Sequence, residues 1–285
     1  MSSTPKPFVK WAGGKRQILN RLMDMLPNNY GTYYEPFLGG GALFFYILRH
    51  KPSHRYCVSD LNQELIFTYE VIRDHVDELI ELLNGHADTF RNSKEYYYRV
   101  RSQSPDTPVE KAARMIFLNK TCYNGLYRVN SKNEFNVPIG SYVNPRIVHE
   151  DNLRSISKIL NSNNITIQCN DFEETVQHAE RGDMIYFDPP YQPINSTSSF
   201  TQYTRYGFSY EELKRLSGVC ESLHNAGCSV MISNSDMDVV EQLFSNDIWH
   251  VKRVGTARAI NSVGTKRVGH QELLITNYAG PQTYL

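Results

Sequence analysis

Met184-Ile185-Tyr186-Phe187-Asp188-Pro189-Pro190-Tyr191 sets out four strand-forming apolar residues, a carboxylate, two prolines and an aromatic ring, in that order. A short apolar run of this kind reads as a buried strand. The prolines stop its continuation because they fix φ and lack a backbone N–H. In open α/β sheets ligands bind beyond the C-terminal ends of the strands. Asp188, Pro189, Pro190 and Tyr191 are therefore the candidate catalytic residues. With two donors removed, the local carbonyls are left to accept hydrogen bonds; Asp188 accepts as well, and Tyr191 offers a flat face. Such a site suits a planar group with an amino substituent, and the exocyclic amine of a nucleobase fits that description. The purely structural alternative is a strand ending in a proline turn, with Asp188 as its cap and Tyr191 packed on the surface.

Near the start, Lys10-Trp11-Ala12-Gly13-Gly14-Lys15 precedes a helical pattern through Ile18, Leu19, Leu22 and Met23. Paired glycines let backbone approach a ligand closely. The spacing is not that of a P-loop, and no Ser or Thr follows Lys15 to hold magnesium, which argues against an ATPase. A lysine that meets a carboxylate, beside a tryptophan covering an adenine or a methionine chain, is the better fit. Phe37-Leu38-Gly39-Gly40-Gly41 then joins a strand to a helix, the turn that dinucleotide folds use, although the G-x-G-x-x-G spacing is absent. A second strand, Tyr56–Ser59, ends at Asp60, about 20 residues beyond the glycines, where an acid accepts from ribose hydroxyls. The alternative for Asp60 is an N-cap of the next helix. Glycine turn and acid together point to a nucleoside cofactor.

From Leu61 to Arg146 the character changes. Leu65, Tyr69, Ile72, Val76, Leu79 and Leu83 predict one long amphipathic helix, followed by polar turns through Pro108 and a second helix from Val109 into Asn119. Ser131–Gly140 reads as a hairpin. Lys111, Arg114, Lys120, Arg128, Lys132 and Arg146 alternate with aromatics and amides, a mixture suited to phosphates, base edges and stacking. A helical subdomain with a solvated charged face is the plainer account. Strands and helices then alternate again: a strand from Thr166 that ends in Asp171 and Phe172, the Asp188 strand, a helix from Phe208 to Asn225, and strands at Ser229–Ser235 and Glu272–Thr276. Gly255–Gly269, with Arg253, Arg258, Lys266 and Arg267, reads as a mobile basic loop.

The 285 residues, 40 % hydrophobic, suit one large domain or a domain with an insertion. No apolar run approaches the ~18 residues of a membrane span, and the N-terminus lacks a signal peptide's apolar region, so a cytoplasmic, intracellular protein is expected. A formal net charge of zero gives no global reason for a nucleic-acid partner, so such a reason must be local. Five scattered cysteines without metal-ligand spacing predict a reduced, metal-free protein. The 19 tyrosines and 13 phenylalanines stand out, since splayed bases stack on aromatics.

Taken in order, Lys10–Lys15, Glu35–Gly41, Ser59–Asn62, Tyr123–Arg128, Glu134–Pro138, Asp188–Tyr191 and Ile232–Asn234 resemble the blocks of the Dam-type N6-adenine DNA methyltransferases of the D12 class. The resemblance implies an α/β fold: a Rossmann-like S-adenosylmethionine-dependent methyltransferase sheet with a mainly helical DNA-recognition insert carrying a β-hairpin. It places a discontinuous catalytic domain at 1–61 and 149–285 and the target-recognition insert at 62–148. S-adenosylmethionine is the implied methyl donor, with S-adenosylhomocysteine as product and no metal. Adenine in GATC, in double-stranded DNA, is the implied target, reached by base flipping, as in restriction–modification enzymes. No membrane and no obligate protein partner are implied. Trp11, Lys15, Phe37, Gly39, Gly41, Asp60, Asp171, Phe172 and Asp188 form the implied cofactor set. Lys10, Tyr123, Asn124, Leu126, Arg128 and Pro138 form the implied DNA set. Tyr127 and the stretch Ser141–Pro145 depart from the enterobacterial form. Two rivals stay open: the same chemistry on another sequence or acceptor (cytosine N4, RNA or a protein amide), and a catalytically silent DNA-binding protein.

Overall fold

A computed structural model describes residues 5–11, 13–15, 17–50, 55–162, 164–190, 208–256 and 270–280. Tyr191 and most of the expected basic loop, residues 257–269, lie outside the described residues. The elements begin with α1 (Leu19–Met25), β1 (Thr32–Glu35), α2 (Ala42–His50), β2 (Arg55–Ser59), α3 (Gln63–Asp74) and α4 (Val76–Phe90). They continue with α5 (Lys94–Ser102), α6 (Pro108–Thr121), α7 (Glu150–Leu160), β3 (Ile165–Gln168), α8 (Phe172–Val176) and β4 (Met184–Phe187). Last come α9 (Tyr210–Ala226), β5 (Ser229–Ser235), α10 (Asp238–Leu243), β6 (His250–Thr256) and β7 (His270–Thr276).

The strands form one seven-stranded sheet in the order β3-β2-β1-β4-β5-β7-β6. β1 runs parallel to β2 and to β4, with Tyr34 opposite Cys57 on one side and Ile185 on the other. β4 runs parallel to β5, and β7 is antiparallel to both β5 and β6. The chain leaves β1 toward β2 in one direction and continues from β4 toward β5 in the other. The C-terminal ends of β1 and β4 therefore flank a topological switch point, the place where doubly wound sheets bind ligands. All four residues of β4 are buried, as its unbroken apolar sequence requires of a central strand.

Contacts divide the chain into two units. One comprises residues 15–38, 53–59 and 170–285. Its core joins Ile185 and Phe187 of β4 and Val230 and Ile232 of β5 with Leu213, Leu216, Cys220 and Leu223 on one face of α9. α9 starts at a capping box, Ser209 with Glu212, and stops at Gly227, whose φ of 85° favours glycine. The other comprises residues 1–14, 39–52 and 60–169. There α6, opened by the Thr107–Glu110 capping box with Pro108 in the first turn, packs against α3, α4 and α5.

Four local expectations are corrected. The helix expected along Leu65–Leu83 is two helices, α3 and α4, broken at His75 (φ −134°, ψ 37°). Apolar periodicity is blind to a one-residue break that keeps the phase of the buried positions. α5 occupies part of the stretch read as polar turns; Ser93 caps it by accepting from Tyr96 N, and it buries Tyr97 and Val100. β3 stops at Gln168, and Asp171 caps α8 by accepting from Glu173 N, which places Phe172 on a helix. A short polar acid wins more as a cap than inside a strand. The hairpin at Ser131–Gly140 carries no extended strands; two isolated bridges, Cys122–Ile139 and Val129–Phe135, hold it.

Candidate active site

Within the β-rich unit, β4 delivers Asp188 at the switch point. Lys15 Nζ lies 2.8 Å from Asp188 Oδ1 and 3.9 Å from Glu272 Oε2. The Lys15 side chain is 4 % exposed and that of Asp188 17 %, so this pair is largely withdrawn from water. Burial pushes the Asp188 carboxyl up to about 6, against the pull of the Lys15 ammonium and with a further push from Glu272. Pro189 is buried and Pro190 exposed. Pro190 lines a small cavity with Phe208, Leu213, Asn234 and Ser235.

Phe37 follows β1 and stacks on Phe172, with ring centroids 5.6 Å apart and planes at 29°. Its edge contacts to Phe187 and Phe208 complete an aromatic cluster beside the β4 terminus. Arg215 covers the Phe172 ring at 4.0 Å and pairs with Asp171 at 2.7 Å and Glu173 at 2.9 Å. That guanidinium holds the Asp171 carboxyl below its usual range. Asp171 is thus engaged as helix cap and ion-pair partner.

The helical unit holds the glycine turn and Asp60. Asp60 Oδ2 accepts from Gly39 N at 2.9 Å and its Oδ1 from Asn62 N at 2.9 Å. Burial raises the Asp60 carboxyl, and these backbone donors oppose the rise. Asn62, not Asp60, caps α3 by accepting from Leu65 N at 2.9 Å. Gly39 and Gly41 have φ of 49° and 70°. A Cβ at Gly39 would meet Trp11 at 2.7 Å, and one at Gly41 would meet the Tyr69 hydroxyl at 2.8 Å. Both positions therefore exclude side chains on conformational and steric grounds. The Trp11 ring lies 5.2 Å from that of Tyr127, whose hydroxyl donates to Glu64 Oε2 at 2.6 Å.

The six expected DNA-facing residues all fall in this unit. Asn119 ties one of them, Lys10, to Gly125 in the Tyr123–Arg128 turn, although the sequence reading did not single it out. Its Oδ1 accepts from Lys10 N at 2.8 Å, and its Nδ2 donates to Lys10 O at 2.8 Å and Gly125 O at 3.0 Å. The signal was a polar residue at a core position of α6: Asn119 is 1 % exposed. Lys10 Nζ reaches the Tyr142 hydroxyl at 3.1 Å. Tyr123 N donates to Pro138 O at 2.8 Å, closing the turn on the hairpin. In that turn Asn124 adopts φ 55°. Tyr123 and Leu126 are 49 % and 41 % exposed, so two large apolar side chains face solvent from it. Arg128 Nε donates to Asn136 Oδ1 at 2.6 Å, which orients an exposed guanidinium. Glu64, Arg215 and Glu272 also escaped notice, because their roles lie in pairings between distant positions.

Among the described residues no group of three or more His, Cys, Asp or Glu could hold a metal ion, and no helix is long and apolar enough to cross a membrane.

Residues 11–260 match the profile described as D12 class N6 adenine-specific DNA methyltransferase. The type II methyltransferase M1.LlaDCHI of Lactococcus lactis subsp. cremoris is 43 % identical over 279 residues, covering 96 % of this chain and 95 % of its own. The type II methyltransferase M.MjaIII of Methanocaldococcus jannaschii is 44 % identical over 290 residues, covering 96 % and 99 %. The DNA adenine methylase of Haemophilus influenzae is 34 % identical over 274 residues, covering 94 % and 92 %.

Asp188 gives a pH test. Its carboxyl is raised in the folded protein to about 6, so the stability it contributes is complete below about pH 4, the unfolded value, and is lost as pH climbs through 6. A shift of about two units corresponds to about 3 kcal/mol. Urea unfolding between pH 4 and 7 is expected to show the wild type losing about that much relative to Asp188→Asn. A difference that stays constant with pH would mean that Asp188 titrates alike in the folded and unfolded chains.

Proposed function

We propose, for a chain that belongs to the D12 class of N6 adenine-specific DNA methyltransferases, that it methylates adenine N6 within GATC in duplex DNA after flipping the base out of the helix. Membership makes it an adenine-specific DNA methyltransferase that uses S-adenosylmethionine. The observation that carries the proposed chemistry is Asp188, set at the end of a central strand, followed by two prolines and held by Lys15 at 2.8 Å.

Within each unit, taken by itself, there are residues whose chemistry suits part of the cofactor. Asp60, fixed beside a turn that excludes side chains at Gly39 and Gly41, offers a carboxylate for ribose hydroxyls. Trp11 offers an aromatic face, and Lys15 a cation for a carboxylate. Phe37 and Phe172 supply apolar surface, with Asp171 next to them in sequence. When bound, the cofactor supplies an electrophilic methyl group.

The amino lone pair of adenine is delocalised into the ring and is a poor nucleophile until the nitrogen pyramidalises. Asp188 and the Pro189 carbonyl would accept from its two N–H groups, favouring that geometry and the positive charge that develops. Tyr191, as the aromatic of the motif, would hold the ring. Orientation supplies much of the remaining acceleration. Flipping costs a few kcal/mol of unstacking, and Tyr123 and Asn124, on the exposed turn, would fill the gap. Residues 62–148 would supply target recognition, and 1–61 with 149–285 the chemistry.

The GATC target rests on the recognition stretch Tyr123–Arg128 with Pro138. A second reading, the same chemistry on another sequence, is favoured by Tyr127, which departs from the enterobacterial form and packs on Trp11.

Asp188→Ala is expected to abolish methyl transfer while the melting curve stays cooperative, and Asp188→Asn to be severely impaired because an amide is a weaker acceptor. Near-normal turnover in either variant would remove Asp188 from its role. Arg128 is expected to pair with guanine O6 and N7, a contact worth roughly 1–3 kcal/mol of discrimination. Rates on every single-substitution variant of GATC would then show Arg128→Ala relaxing one position and sparing the others. A uniform loss that also flattens the salt dependence would assign Arg128 to a phosphate.

A further inference from the structure

Glu272 stands on β7, opposite Ser235 of β5 and Val254 of β6, neither of them titratable. Its side chain is 16 % exposed, and Oε2 is buried without a hydrogen-bond partner among the described residues. That oxygen lies 3.9 Å from the same Lys15 ammonium that Asp188 holds at 2.8 Å. Among the described residues two carboxylates thus face one ammonium, an excess of one negative charge. Among the described residues Lys15 and Glu272 are the charged groups acting on Asp188. A pair of Lys15 and Asp188 would have been neutral; a second buried carboxylate costs free energy, and its Oε2 has no hydrogen bond among the described residues to offset it. An excess of negative charge of this kind suits a site in which a cation must be accommodated.

We propose that Glu272 is a positioning residue for methyl transfer: it shares Lys15 with Asp188, so that the ammonium does not fully neutralise Asp188, whose carboxylate can then face the cation formed at the acceptor nitrogen and take that nitrogen's proton. This rests on the adenine N6 reading above. The N6 lone pair forms the bond to the methyl carbon while the methyl–sulfur bond breaks and leaves its electron pair on sulfur. Positive charge passes from sulfur to N6, and N6 sheds one proton to Asp188. Once Asp188 is neutral, Lys15 retains Glu272 as a carboxylate partner. An acceptor that titrates near 6 suits a proton transfer of this kind.

The test compares wild type, Glu272→Gln and Glu272→Asp by two readouts. The first is the titration midpoint of the Asp188 carboxyl in protein without DNA or cofactor, followed by infrared difference spectra with Asp188→Asn as the blank. The second is single-turnover methyl transfer against pH, alongside calorimetric cofactor affinity. Glu272→Gln is expected to lower the midpoint by about half a pH unit or more and to slow transfer at neutral pH by about tenfold or more. Cofactor affinity is expected to stay within about threefold. Glu272→Asp, which draws the charge back by one methylene, is expected to fall between, and decides the matter if Glu272→Gln does not fold. A midpoint that does not move in a folded variant overturns the proposal. So does a slower rate matched by an equal loss of cofactor affinity. If wild type fails to methylate adenine, the N6 reading fails instead, and the midpoint still reports whether Glu272 acts on Asp188.

Discussion

Burying a carboxylate at the end of a central strand is costly unless a cation comes with it, and here Lys15 comes with Asp188 at 2.8 Å. The cost of taking two charges out of water is several kcal/mol per ion, and the attraction between them repays that only with good geometry. Removing one partner leaves the other uncompensated, so the position of Lys15 at the head of α1 and the position of Asp188 at the tip of β4 depend on each other. Ile18 N donates to Lys15 O at 3.0 Å, which fixes the lysine backbone to the start of that helix. The sheet then supplies what the ion pair needs. Burial of every residue in β4 between β1 and β5 makes the strand rigid and sends the chain out at the switch point.

Much of this was legible in the chain because it is written locally. An apolar run closed by two prolines specifies a buried strand and its end. The positions of Gly39 and Gly41 announce a turn that no other residue fits, and the structure gives the reason in positive φ and in the close approach of Trp11 and the Tyr69 hydroxyl. Asp60 was open between ribose acceptor and helix cap; the capping role went to Asn62, two residues on. What stayed hidden was written across distance. The break at His75 preserves the phase of the apolar residues, and β6 has too few of them to show a period. Glu272 is unremarkable in sequence, and its meaning comes from a lysine far away along the chain.

The recognition stretch follows the same logic. Its six candidate residues come from the N-terminal segment, a turn and a hairpin, and one buried amide, Asn119, bonds both Lys10 and Gly125. A helix-interior Asn is unfavourable by propensity, and three hydrogen bonds to backbone offset that loss. The exposed side chains of Tyr123, Leu126 and Arg128 are thus presented by a turn whose own backbone is tied down. Preorganisation of this kind limits the ordering cost when a partner binds.

The proposed chemistry places the new bond on a nitrogen held by Asp188, so the identity of the methylated atom tests it most directly. Purified protein would be incubated with unmethylated duplex DNA and S-adenosylmethionine carrying a deuterated methyl group, and the DNA digested to nucleosides for mass spectrometry. The label is expected in N6-methyldeoxyadenosine and nowhere else. Label in N4-methyldeoxycytidine, or no labelled nucleoside from folded protein that binds the cofactor, would contradict the account.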